Sequence, residues 1–102
     1  MPTYEVRVDP IAKEKMATHV RFLSQVSVVA ARQLKNSYYK ALKSLEKNPQ
    51  RCPSYLMQKK NDKKLRFLLF SKRYRIVFEI AEKLVFVYDI QDCRQDTDKS
   101  VL

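Results

Sequence analysis

The sequence has no glycine among its 102 residues, and this absence excludes several kinds of site. A P-loop or a dinucleotide-binding turn needs glycine, because its backbone must come close to phosphate groups. The nucleophile elbow of α/β-hydrolases also requires glycine. We therefore expect neither a nucleotide-binding enzyme of these types nor a hydrolase of that fold.

Residues that bind metals or act as acids and bases are also scarce. The only two cysteines, Cys52 and Cys93, form neither a disulfide framework nor a zinc set, so we predict two reduced thiols. His19 is the only histidine, and its place inside a predicted helix favours a structural role. Four aspartates near the end match no metal-binding loop, so we expect no metal and no cofactor: Asp89, Asp92, Asp96 and Asp98.

No apolar run approaches the roughly 18–20 residues of a membrane span. The first ten residues lack the basic and apolar regions of a signal peptide. The length and a hydrophobic content of 45% are typical of one globular domain. We expect a single cytoplasmic domain over residues 1–102 that makes no membrane contact, with residues 95–102 as a frayed tail.

Positive charge is abundant. Twenty-one lysines and arginines against eleven acids give a formal net charge of +10. This excess favours a polyanionic partner such as nucleic acid, a ribosome or an acidic protein. A basic surface that contacts only solvent is the alternative, and the total charge does not decide between them.

The hydrophobic pattern predicts an α+β fold. Residues 3–8 alternate as a strand, and Asp9 and Pro10 begin a helix to about Leu23. Ser27 caps a second helix to about Lys47, which makes an antiparallel helical hairpin. Residues 65–94 then alternate as a three-stranded antiparallel meander, and we expect both helices on one face of the sheet. In the last strand, Leu84, Phe86, Tyr88 and Ile90 are expected to share a face.

Basic residues concentrate between positions 59 and 75, with aromatic residues among them. This mixture is typical of surfaces that hold phosphates and stack bases, although strand alternation also explains the aromatic residues. We expect Arg66 and Arg75 to lie on the same uncovered sheet face, with Arg94 just past the last strand. An arginine fork binds phosphate through two hydrogen bonds. Four further cations are candidates for nucleic-acid binding: Lys63, Lys64, Lys72 and Arg73.

The element order, together with YEVRVDPIAKEKM, the helical hairpin, YRIVFEI and VYDIQDCRQD, resembles the RelE/ParE superfamily of bacterial toxins. The resemblance covers residues 4–94 and implies a small toxin neutralised by a cognate antitoxin. The RelE branch cuts mRNA in the ribosome without a metal, and its arginines correspond to Arg66, Arg75 and Arg94. These three are the predicted catalytic residues of a ribosome-associated mRNA endoribonuclease.

The chain departs from the RelE pattern at its end. That branch often carries a tyrosine about two turns after the last arginine, whereas this chain has QDTDKSVL with Ser100 near the place. Lys64, Lys72 and Tyr74 remain alternatives for proton transfer. The ParE branch lacks this machinery and poisons DNA gyrase, so a gyrase inhibitor, or a relative without activity, stays open beside the endoribonuclease.

Overall fold

The structure is a computed structural model that describes residues 3–55 and 65–93. The described residues form four strands, two α-helices and a short 3₁₀ turn. In chain order they are β1 (Glu5–Val8), α1 (Pro10–Ser24), α2 (Val28–Ser44), the turn Pro49–Arg51, β2 (Leu65–Phe70), β3 (Tyr74–Ala81) and β4 (Leu84–Asp92). The predicted α+β architecture is confirmed, whereas the predicted tail lies outside the described residues.

Both helices begin where their capping residues predict. The Asp9 carboxylate accepts a hydrogen bond from the backbone N–H of Ile11 at 2.8 Å, and Pro10 occupies the first helical position. The Ser27 hydroxyl accepts from the backbone N–H of Ala30 at 3.1 Å. Both caps satisfy backbone donors that have no partner within their helix.

The second helix ends at Ser44, three residues before the predicted Lys47. Over the next three residues each backbone N–H donates to the carbonyl three positions earlier, so the chain tightens out of the α-helical pattern. Asn48 then takes a left-handed conformation with φ 54°, and Pro49 starts the 3₁₀ turn. The residue before a proline avoids the right-handed helical region, which explains why no helix continues through Asn48.

The four strands form one mixed sheet in the order β1-β4-β3-β2. The predicted antiparallel meander of β2, β3 and β4 is confirmed. β1 pairs parallel with β4 at the other edge, with Glu5 opposite Leu84 and Val8 opposite Val87. A parallel pair needs a long crossover connection, and the helical hairpin is the first part of that crossover.

Both helices contribute apolar side chains to a core on one face of the sheet. The buried sheet residues include Ile76, Phe78, Val85 and Val87, all 0% exposed. The helices add buried apolar residues at helical spacing: Ala12 and Met16 from α1, and Ala31, Leu34, Tyr38 and Ala41 from α2, with Leu45 just beyond. Neither described helix has the length and apolar character to cross a bilayer.

The predicted alternation of side chains along β4 is wrong after Val87. Val87 pairs with Phe78, but the next pair joins Asp89 to Val77, so Tyr88 is an additional residue in a β-bulge. The bulge shifts the alternation by one position. Ile90 therefore pairs with Ile76 and is buried with the core, rather than sharing a face with Leu84, Phe86 and Tyr88.

Candidate functional site on the open sheet face

On the sheet face away from the helices, neighbouring side chains orient the guanidinium of Arg75. The Arg75 guanidinium carbon lies 5.4 Å from the ring centre of Tyr55 and 5.8 Å from that of Phe67. Its Nε donates a 3.0 Å hydrogen bond to Oε1 of Gln91 on the neighbouring strand. Two aromatic rings and an amide thus hold the half-buried side chain in one orientation.

The Arg75 site extends across β4 to the first helix. The Gln91 amide nitrogen donates to the Tyr55 hydroxyl at 3.0 Å and to Oδ2 of Asp89 at 3.2 Å. Oδ1 of Asp89 accepts from the Lys15 ammonium at 2.6 Å. The side chains of Lys15 and Asp89 are 43% and 33% exposed, so this ion pair is only partly shielded from water. A continuous polar chain therefore connects α1 to Arg75.

Arg66 does not join this site, and the expectation that it shares a face with Arg75 is wrong. The hairpin pairs around Ser71–Arg73 as expected, with Phe70 opposite Tyr74. Counting back from that pair places Arg66 opposite Phe78 and Arg75 opposite Leu69. Directly paired residues lie on the same face, so the two arginines are on opposite faces of the sheet.

The Arg66 side chain has a structural role at the sheet edge. Its Nη1 donates to the backbone carbonyls of Cys52 at 2.7 Å and Gln50 at 3.2 Å. The backbone of the same segment pairs with β2, since Tyr55 N–H donates to Leu65 and Phe67 N–H donates to Pro53. Arg66 therefore fixes the chain after the 3₁₀ turn against the sheet, and this chain presents Tyr55 to Arg75.

Two of the predicted nucleic-acid-binding residues lie in the turn between β2 and β3. Lys72 is exposed and has φ 68°, while Arg73 is half-buried with its guanidinium 5.6 Å from the Tyr74 ring. The predicted residues Lys63, Lys64 and Arg94 lie outside the described residues. The structure thus describes four of the seven predicted site residues, and it does not bring Arg66 and Arg75 together.

A separate groove of about 670 Å³ lies between the two helices. Its buried and half-buried lining residues are apolar or aromatic: Val8, Met16, Val20, Tyr38 and Leu42. Its exposed lining residues include three cations: Lys13, Arg21 and Lys35. An apolar groove with positive charge at its margin is suited to an amphipathic segment that carries acidic residues.

A comparison of the sequence with known protein families shows to which family the chain belongs. The family described as ParE toxin of type II toxin-antitoxin system, parDE matches residues 6–97, which is most of the chain. The protein belongs to the ParE toxin family. A search of curated proteins found no match. The resemblance to RelE/ParE toxins is therefore confirmed.

Membership of a type II system implies that this ParE-family toxin has an antitoxin partner. The family match shows a type II toxin but not whether its target is RNA or gyrase, and the geometry of the site is the evidence that bears on this choice.

The sequence pattern pointed to Arg75 but did not point to Tyr55 and Gln91, which orient its side chain. No sequence signal marks Tyr55, because it lies in a loop outside the strands and its contacts with β2, β3 and β4 join residues that are distant in sequence.

The remaining titratable candidates of the toxin are packed within the fold. His19 lies edge-on to the Tyr74 ring, with ring centres 5.4 Å apart, and burial lowers the pKa of its imidazole. Tyr74 is 4% exposed and also stacks on Phe70, so the side chain proposed for proton transfer is enclosed. Burial raises the pKa of the Cys52 thiol, which disfavours the reactive thiolate.

Within residues 3–55 and 65–93 the toxin has no group of three or more His, Cys, Asp or Glu side chains that could hold a metal ion. The carboxylates of the open face already have partners. Asp89 accepts from Lys15 and Gln91, and Glu79 accepts from the Tyr88 hydroxyl at 2.6 Å. Asp89 and Glu79 therefore help to order the open face within the described residues.

Proposed function

We propose that this ParE-family toxin inhibits growth by binding DNA gyrase and does not cut RNA. The observation that carries the proposal is the separation of Arg66 and Arg75 onto opposite sheet faces. Metal-independent RNA cleavage needs several cations around one phosphate, together with groups that take and give protons. Arg66 instead binds two backbone carbonyls, which supports a structural role for it.

The orientation of Arg75 fits a role in protein contact. Its guanidinium is held by Gln91 and lies against Tyr55 and Phe67, so little side-chain freedom remains to be lost on binding. Arginine and tyrosine are enriched among the residues that contribute most to protein interfaces. A partner surface with a carboxylate opposite Arg75 would complete such a contact.

The experiment is a plasmid supercoiling assay with purified gyrase, combined with a reporter for the SOS response in cells. We expect relaxed or linear plasmid and SOS induction from the native toxin. Arg75→Ala is expected to weaken inhibition at least tenfold. Lys40→Ala is the control for the loss of one cation, because Lys40 is exposed on α2, away from the open sheet face. Normal supercoiling at a large excess of toxin would overturn the proposal.

The mRNA endoribonuclease is the second candidate, and the net charge of +10 favours it. Lys72 and Arg73 precede Arg75 in the chain, so a basic path leads from the turn into β3. Cell-free translation followed by primer extension separates the candidates. New ribosome-dependent 5′ ends that disappear in Arg75→Ala would establish RNA cleavage, and intact mRNA with normal translation would refute the endoribonuclease.

The antitoxin is expected to bind the groove between α1 and α2 through an acidic amphipathic segment. Charge complementarity with Lys13, Arg21 and Lys35 supports this position. Lys35→Glu places repulsive charge beside the groove and is expected to weaken antitoxin binding at least tenfold. Lys40→Glu makes the same charge change on an exposed α2 residue that is not among the groove-lining residues. Equal affinity of both variants for the antitoxin would refute this position.

A further inference from the structure

The tip of the helical hairpin exposes large apolar side chains that the core does not use. Four such residues lie within eight positions of one another: Phe22 is 70% exposed, Val26 77%, Val28 61% and Val29 62%. We refer to these four residues as the hairpin tip. None of them lines the groove between the helices. Their total exposed area, roughly 400 Å², falls in the range of about 300–600 Å² that is often functional on monomers.

The backbone of the hairpin tip is well ordered by hydrogen bonds. The N–H groups of Val26 and Ser27 both donate to the carbonyl of Leu23 at 2.9 Å, which closes the end of α1. Ser27 caps α2 through its hydroxyl. A hydrophobic residue just before a helix cap often packs against the first turns of its helix, but Val26 remains 77% exposed. Local packing therefore leaves the apolar side chains available to a partner.

Charge around the hairpin tip has one sign. From Lys15 to Leu45 the sequence contains no aspartate or glutamate and six cations: Lys15, Arg21, Arg32, Lys35, Lys40 and Lys43. Arg21 and Arg32 are exposed and are the cations nearest to the tip in sequence. A complementary partner surface would therefore have an apolar depression bordered by acidic side chains.

The size of the hairpin tip argues against a second copy of this chain as the occupant. A stable interface buries about 800 Å² on each partner, roughly twice the area of the tip. Two copies meeting tip to tip would also bring like charges together. A small projecting apolar group is instead typical of an anchor that fills a pocket on a larger protein.

We propose that the hairpin tip is the anchor by which the toxin docks into an acid-bordered apolar pocket of its protein target. The inference rests on the proposed function, since it requires that the target is a protein. It adds a second contact to that of Arg75, on a different element of the fold. The antitoxin groove and the hairpin tip are then separate surfaces on the same hairpin.

The test variant is Val29→Asp, and the chain provides a close control in Ile11→Asp. Val29 and Ile11 are each the second residue of their helix, and they are 62% and 70% exposed. Aspartate at either position is compatible with folding, because acidic side chains are favourable in the first turn of a helix. Circular dichroism, thermal unfolding and antitoxin affinity should therefore match the native protein for both variants.

We expect Val29→Asp to reduce both growth inhibition and gyrase inhibition at least tenfold, while Ile11→Asp retains both. Val26→Asp combined with Val29→Asp should abolish growth inhibition. Val29→Lys keeps the charge around the hairpin tip positive, so it should lose less activity than Val29→Asp. Equal losses of inhibition in Val29→Lys and Val29→Asp would refute the proposal that acidic side chains border the pocket.

Three further results would overturn the hairpin tip as the target anchor. The first is full growth inhibition by the double variant. The second is loss of antitoxin affinity in parallel with toxicity, which would assign the tip to the antitoxin. The third is a native dimer in sedimentation that Val29→Asp dissociates. If the native toxin inhibits growth without affecting gyrase, the gyrase proposal alone fails, and growth inhibition then decides the role of the tip.

Discussion

Replacing Arg66 by alanine tests whether this arginine stabilises the fold or binds substrate. The substitution removes two hydrogen bonds from a charged donor to the carbonyls of Gln50 and Cys52. Such bonds contribute about 1.5–3 kcal/mol each when well shielded. One of the two is exposed, so we expect a total loss of about 2 kcal/mol in the free energy of unfolding.

For a domain of this length, a loss of 2 kcal/mol corresponds to a melting temperature lower by about 10 °C. Urea unfolding followed by circular dichroism measures the free energy directly. Arg66→Lys can reach one carbonyl at a time and should lose about half as much. Arg7→Ala controls for the loss of a cation, because the ion pair of Arg7 with Glu5 is exposed and is worth well under about 1 kcal/mol.

Toxicity measured at low temperature, where the Arg66→Ala protein remains folded, completes this test. We expect growth inhibition by the folded variant to stay close to the native level. Native stability combined with lost toxicity would refute the structural assignment. It would also restore Arg66 as a phosphate-binding residue.

Three further predictions concern single sites. Glu82→Gly should stabilise the protein by about 0.5–1 kcal/mol in urea unfolding, since glycine adopts the φ of 56° without the Cβ penalty, and Glu82→Ala should give no gain. Burial lowers the pKa of His19 below its usual 6.5, so the unfolded state binds more protons at this residue than the folded state does. The contribution of neutral His19 to the free energy of unfolding is therefore complete above pH 6.5 and declines as the pH falls below that value. NMR titration of this only imidazole, and loss of that pH dependence in His19→Gln, check the sign. A double-mutant cycle on Lys15→Ala and Asp89→Asn should give a coupling of about 0.5–1 kcal/mol, and a value near zero would remove the link between α1 and the Arg75 site.

Much of the fold follows from local patterns in the sequence. Asp9 with Pro10, and Ser27, mark both helix starts because capping depends on residues close in sequence. The core stripes follow from helical periodicity in the same way. The parallel pairing of β1 with β4 was not predicted, because the two strands are distant in sequence and neither one has a sequence pattern that indicates its partner.

The candidate site was less predictable, because it depends on register and on contacts between distant residues. Whether Arg66 shares a face with Arg75 is decided by the pair that closes the hairpin, Phe70 opposite Tyr74. The alternation predicted within β2 and within β3 was correct, but it does not fix how one strand lies against the next. Tyr55 reaches Arg75 only because Arg66 and backbone bonds hold its segment against β2.

The extra residue at Tyr88 has a consequence for comparing this toxin with its relatives. A relative without the bulge could have the same residues as β4 up to Val87. In an ungapped alignment, the later side chains of its strand would nevertheless lie on the other face of the sheet. Functional residues transferred from an ungapped alignment would then be assigned to the wrong face from Asp89 to Asp92, where β4 ends. Alignments across β4 therefore need a one-residue gap at Tyr88 wherever a relative has a regular strand.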